Sequence, residues 1–218
     1  MLTLGVLVSG SGTNLQAILD AVAGGTLDAR VAVVLSNKPA VGALDRAARA
    51  GVATDVLSHR AFASREAFDA EVVTRLRSRG VDTVVLAGFL RVVTPVLLDA
   101  FPDRVVNIHP SLLPAFPGLD AQGQALAAGV KITGCSVHFV DTGTDTGPVI
   151  VQAAVPVMDD DTHDSLRDRI LAMEHLTFPA ALQWLAEGRV RLVDRKVRVE
   201  GPRADFAVSS PPVPEAAR

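Results

Sequence analysis

A chain of 218 residues with 49% apolar side chains can bury a core without metal or disulfide staples. Lys+Arg 21 against Asp+Glu 24 leaves a net charge of −3, which argues against the concentrated cationic surface that nucleic-acid phosphates require. The single cysteine, Cys135, excludes an internal disulfide and a cysteine zinc cluster, and it points to a reducing, cytoplasmic compartment.

Residues 2–8 form an apolar run with no basic segment before it, and it enters Ser9-Gly-Ser-Gly12 where a leader would carry a cleavage site; it reads as a buried strand. No apolar run reaches the roughly 18 residues needed to span a membrane. Short β-branched or leucine-rich runs at 31–35, 53–57, 83–87 and 105–108 continue the strand series. Helical patterns at 14–23, 42–50 and 64–79 lie between them, the last opened by a Ser64 N-cap. This alternation predicts right-handed βαβ crossovers, and hence a single Rossmann-like α/β domain with a mostly parallel central sheet.

The pattern changes after residue 108. Residues 109–121 are rich in Pro and Gly, a short helix follows near 122–128, and runs 133–140 and 148–157 flank a short polar loop, which predicts antiparallel pairing toward the C-terminal half. Leu166, Ile170, Met173, Thr177, Ala181 and Trp184 form one stripe of a long helix over 162–187, with Pro179 placed to kink it. The run Asp159-Asp160-Asp161 before it reads as charge at a helix N-terminus, with metal binding the lesser alternative. Residues 190–199 read as a hairpin, and the Pro-rich tail 201–218 as disordered.

Two segments carry chemistry. Ser9-Gly-Ser-Gly-Thr-Asn-Leu15 places a Gly-x-Gly turn between the first strand and the first helix, where backbone amides suit a phosphate. A dinucleotide fingerprint needs a third glycine where Leu15 stands and an acid where the chain reads Ser36-Asn37-Lys38, so a phosphate monoester fits better, with tight strand–helix packing as the plain alternative. In Val105-Val-Asn-Ile-His-Pro110, Asn107 and His109 are two apart on a strand and project together at its carboxyl end. Asp145, in the next polar loop, is within reach of His109. A carboxamide, an imidazole and a carboxylate in one pocket divide the work of acyl transfer. Asn107 donates to a developing oxyanion, His109 moves a proton, and Asp145 orients the imidazole. Without these partners, His109 would be a histidine capping a strand. No serine or cysteine nucleophile is demanded.

Ser9-Gly-Ser-Gly-Thr-Asn-Leu15, Ala87-Gly-Phe-Leu-Arg91, Asn107-Ile-His-Pro-Ser-Leu-Leu-Pro114 and Asp145-Thr-Gly-Pro148, in this order across about residues 2–192, resemble the phosphoribosylglycinamide formyltransferase family. The resemblance implies direct transfer of a formyl group from 10-formyltetrahydrofolate, as co-substrate and without a metal, to the amine of 5-phosphoribosylglycinamide in purine synthesis. It places the catalytic trio on Asn107, His109 and Asp145, and acceptor contacts on Gly12, Thr13, Asn14 and Glu174. Folate contacts fall on Arg65, Leu90, Arg91, Val92, Val93, Asn107, Val140, Asp141 and Asp145. Residues 1–200 would form the formyltransferase domain, with a phosphate-binding βα half at 1–104 and a catalytic, folate-binding half at 105–200. The partners are small molecules, with no nucleic acid and no membrane, for a monomer or a homodimer. One departure stands out: Asp120-Ala-Gln-Gly123 occupies the place where the family commonly carries a histidine and then a basic residue. Two rivals share the formyl-transfer signature. Methionyl-tRNA formyltransferase would add a C-terminal domain of about 100 residues and favour a basic surface, and formyltetrahydrofolate hydrolase would add an N-terminal regulatory domain. A non-catalytic nucleotide-binding module would use the glycine loop alone.

Overall fold

The computed structural model describes residues 1–201; apart from Gly201, the tail expected to be disordered lies outside the described residues. The elements in chain order are β1 (Leu2–Val8), α1 (Thr13–Ala23), β2 (Ala29–Ser36), α2 (Gly42–Arg49), β3 (Thr54–Val56), α3 (Arg65–Ser78), β4 (Thr83–Leu86), α4 (Pro95–Ala100) and β5 (Val105–His109). Then come α5 (Ala121–Ala128), β6 (Ile132–Phe139), β7 (Val149–Pro156), α6 (His163–Ala186), β8 (Val190–Val193) and β9 (Lys196–Val199). Seven strands form one sheet in the order β3-β2-β1-β4-β5-β6-β7, and β8-β9 form a separate hairpin. Pairing is parallel from β3 to β5, then antiparallel for β5–β6 and β6–β7. The expected α/β architecture, mostly parallel with antiparallel strands toward the C-terminus, is the one observed.

Alternation within the strands distributes side chains to two faces. Val6, Val8, Val85, Val106 and Ile108 meet α1 and α6 through Leu15, Ile18, Phe178 and Leu182. Leu7, Val84, Leu86 and Val105 meet α3 and α4 through Phe68, Val72, Leu76 and Leu97. The sheet is therefore covered on both sides, which is why its central strands read as continuous apolar runs. The topology turns back between β1 and β4: β2 and β3 extend one way from β1, β4 and β5 the other. Open α/β sheets bind ligands beyond the carboxyl ends of strands at such a reversal.

Local signals set most of the boundaries. Ser64 caps α3 by accepting from the Ala67 amide at 3.1 Å. Thr162 and Ser165 close a reciprocal capping box at the start of α6. The Asp159–Asp161 run ends in a structural anchor: Asp161 takes two hydrogen bonds from Arg169, at 2.6 and 2.8 Å, and one from the Met158 amide. Helix α6 runs on through Pro179 as a single 24-residue element. Helix α4, entered by Thr94 with Pro95 in its first position, was not expected.

Candidate active site

Beyond the carboxyl ends of β1, β4 and β5 lies a cleft of about 820 Å³, inside the range of small-molecule sites. The glycine loop forms one wall. Gly12 sits at φ 76, and a Cβ there would come within 2.6 Å of the Ala43 backbone, so both the left-handed turn and the close approach of α2 demand glycine. No side chain caps the start of α1, so its leading amides are available at the loop. Ser11, Thr13 and Asn14 line the cleft, whereas Gly12 shapes the turn without lining it. Asn14 Nδ2 donates to Glu174 Oε2 at 2.7 Å, tying the glycine loop to α6. Glu174 is only 5% exposed, and burial pushes its carboxyl up to about 7 against the pull of the Asn14 bond.

Leu90, Arg91, Val92 and Val93 form a second wall after β4; Leu90 and Val92 remain exposed, 62% and 46%. Ser9 holds this segment by accepting from the Leu90 amide at 3.0 Å while donating to Asn37 Oδ1 at 2.6 Å. Val140, Asp141 and Asp145 bring in the β6–β7 loop. Arg65 opens α3 and is not among the residues lining the cleft.

Asn107, His109 and Asp145 meet on this surface. The His109 ring is almost fully buried; its Nε2 lies 2.8 Å from the Phe116 carbonyl and its Nδ1 3.3 Å from Asp145 Oδ2. Both neighbours are acceptors, so a ring with hydrogens on both nitrogens satisfies every contact. Asp145 is held at φ 54, and its Oδ2 accepts from the Gly118 amide at 2.8 Å. The carboxylate is thus aimed at the imidazole by backbone on both sides.

One partner was not anticipated. His138 lies directly across the β5–β6 ladder from Asn107. Its Nδ1 sits 2.8 Å from the Phe139 carbonyl, which only accepts, so that nitrogen carries the hydrogen. Burial lowers the pKa of this ring and keeps it neutral, leaving the Nε2 lone pair to accept from Asn107 Nδ2 at 3.0 Å. The carboxamide orientation is fixed by this bond, with nitrogen toward His138 and a second N–H to spare. Arg167, Asp168 and Leu171 of α6 also line the cleft without having been singled out.

The sequence profile of the family described as "Formyl transferase" matches residues 3–182. A phosphoribosylglycinamide formyltransferase of Escherichia coli is 43% identical over 198 residues, covering 91% of this chain and 93% of its own length. The chain belongs to the phosphoribosylglycinamide formyltransferase family. A solved structure of glycinamide ribonucleotide transformylase 1 from Symbiobacterium toebii superposes with a TM-score of 0.90 at 55% identity, covering 91% of this chain and 94% of that chain. The trifunctional purine biosynthetic protein adenosine-3 of Drosophila melanogaster is 52% identical over 185 residues; these are 84% of this chain and only 14% of that protein. Asp120, which opens the segment expected to depart from the family, caps α5 by accepting from the Gly123 amide and pairs with His163 Nε2 at 2.8 Å.

Proposed function

We propose that this chain transfers the formyl group of 10-formyltetrahydrofolate directly to the amine of 5-phosphoribosylglycinamide, in the purine pathway. The observation carrying this reading is the convergence of Asn107, His109 and Asp145 at the foot of a cleft with a glycine loop at one end and an apolar lip at the other. The phosphate of the acceptor fits the amides of Thr13 and Asn14 in the turn that Gly12 shapes, and its ribose hydroxyls the Glu174 carboxyl. The folate ring fits between Leu90–Val93 and the Val140–Asp145 segment. Residues 1–104 thereby supply most of the phosphate site and 105–200 the catalytic groups. The partners are small molecules, and a cytoplasmic setting agrees with the single cysteine.

The donor supplies an acyl carbon on a nitrogen leaving group; the protein supplies charge and a proton. As the acceptor amine adds its lone pair to the formyl carbon, negative charge builds on the formyl oxygen, where the free N–H of Asn107 and the Nδ1 edge of His109 meet it. The bond from carbon to the folate nitrogen then breaks, and that nitrogen takes a proton from His109. The proton lost by the amine restores the ring, so one proton moves in total from acceptor to donor.

No covalent enzyme intermediate is needed. The Cys135 thiol is buried in β6 and pushed up to about 12 by burial, with the nearby Glu174 charge acting in the same direction. The Ser111 hydroxyl is committed to the Ala115 and Phe116 carbonyls. The test is to mix the purified chain with 10-formyltetrahydrofolate and 5-phosphoribosylglycinamide and follow both products. Formylated glycinamide should appear in step with tetrahydrofolate. Release of free formate in its place, or formylation of methionyl-tRNA alone, would refute the assignment.

A further inference from the structure

The loop that carries Asp145 is organised around Asp141. Its Oδ1 accepts from the Thr146 hydroxyl at 2.6 Å and from the Gly143 amide at 3.1 Å, which folds the segment back on itself. Its Oδ2 accepts from Arg195 Nη2 at 2.8 Å, and the same nitrogen lies 3.4 Å from the Thr146 carbonyl. Arg195 comes from the far end of the chain, at the tip of the β8–β9 hairpin. The hairpin is fixed at its base: Val190, Val197 and Val199 pack against the main core while the alternate residues face solvent. Its two tip residues, Asp194 at φ 48 and Arg195 at φ 59, adopt the paired left-handed conformation of a two-residue hairpin turn, a place where Asn-Gly is the unstrained choice. A strained tip whose second residue bridges both ends of a neighbouring loop is a hint of function.

We infer that Arg195 is a positioning residue for formyl transfer: it clamps the 141–146 loop through Asp141 and Thr146, and thereby holds Asp145 against His109. The chain of contacts runs from the guanidinium to Asp141, to Thr146, to the adjoining Asp145, and from there to the imidazole at 3.3 Å. Arg195 touches neither reacting group. Its side chain is 71% exposed, so the ion pair contributes little to global stability, and its removal should leave the fold intact. Burial raises the Asp141 carboxyl, but the bonds from Thr146 and Arg195 outweigh it and hold the group below its ordinary range, in keeping with a loop organised around a carboxylate.

The kinetic half of the test rests on the proposed reaction; the exchange half does not. In Arg195→Ala, amide hydrogen exchange of a peptide covering 141–147 should quicken several-fold in the ligand-free protein, with the sheet strands unchanged and the melting temperature within about 2 °C of the parent. The kcat/KM for the formyl donor should fall about tenfold, with the KM for 5-phosphoribosylglycinamide unchanged. Arg195→Lys, which keeps the charge and one donor, should recover part of the loss. Unaltered exchange in 141–147 would overturn the clamp. Equal losses in the Lys and Ala variants, or a rise in acceptor KM alone, would also overturn it. A parent protein with no formyl transfer would count against the proposed reaction, and the exchange result would still decide the clamp.

Discussion

His138→Phe isolates the orientation of the Asn107 carboxamide. Phenylalanine keeps a planar ring, somewhat larger than imidazole, at a site 1% exposed, but it deletes the Nε2 acceptor that fixes Asn107 Nδ2 at 3.0 Å and the Nδ1 donor that meets the Phe139 carbonyl at 2.8 Å. The stability cost is that of an unpaired buried carbonyl and a lost bond, about 1–3 kcal/mol, within the 5–15 kcal/mol that holds a typical domain together. The catalytic cost follows from the amide. Losing an oxyanion donor outright costs about 10²–10³ in rate, while a bond worth about 1 kcal/mol biases the amide by roughly fivefold. The kcat of His138→Phe should therefore fall by between about two- and a hundredfold at saturating substrates, with the affinity for a folate analogue unchanged, since the Leu90–Val93 lip is untouched. In Asn107→Ala the same histidine substitution should cost little more, because the two residues act through one bond. Full turnover in His138→Phe, or penalties that simply add in the double variant, would refute the reasoning.

Other expectations follow from single residues. Asp145→Asn keeps an acceptor for the Gly118 amide but removes the charge beside His109, so kcat should fall about a hundredfold with little change in melting temperature; full turnover at every pH would remove Asp145 from the mechanism. Glu174 titrates near 7 in the fold against 4.5 when exposed, so the unfolded chain loses its proton first, and the fold is penalised as pH rises from about 4.5 to 7 by up to about 3 kcal/mol. Glu174→Gln should accordingly gain stability over the parent at pH 8 but not at pH 4.5, as read by urea unfolding; a difference independent of pH would contradict the buried carboxyl. Gly12→Ala carries a left-handed backbone cost of about 1–2 kcal/mol plus a contact with Ala43. It should lower stability and raise the acceptor KM more than the donor KM, and equal effects on both would place the loop elsewhere in the mechanism.

What the sequence disclosed follows from which interactions are local. Strand runs and helix caps are written within a few residues, so β1, β5, α3 and the long α6 are legible with their ends nearly right. The spacing of Asn107 and His109 fixes a shared face for the same reason. His138 was not legible: its role depends on the β5–β6 register, which sets it opposite Asn107, and on its ring bonding the adjoining carbonyl. No short-range pattern encodes a cross-strand partner 31 residues away. Helix α4 was missed although Thr94-Pro95 is an N-terminal signal, because six residues carry too little periodicity. The Arg195–Asp141 pair joins residues 54 apart and needed the packing of the hairpin before it could be seen.

The proposed mechanism requires His109 to handle the proton of the reaction and not merely to help seat the donor. His109→Ala, assayed for formyl transfer and titrated with a non-reactive folate analogue in the same buffer, separates the two. Transfer should collapse by about 10²–10⁴ while analogue affinity stays within about twofold, because the donor ring is seated by the Leu90–Val93 lip and the Val140–Asp145 segment rather than by the imidazole. Equal loss of affinity and turnover would make His109 a binding residue and contradict the mechanism.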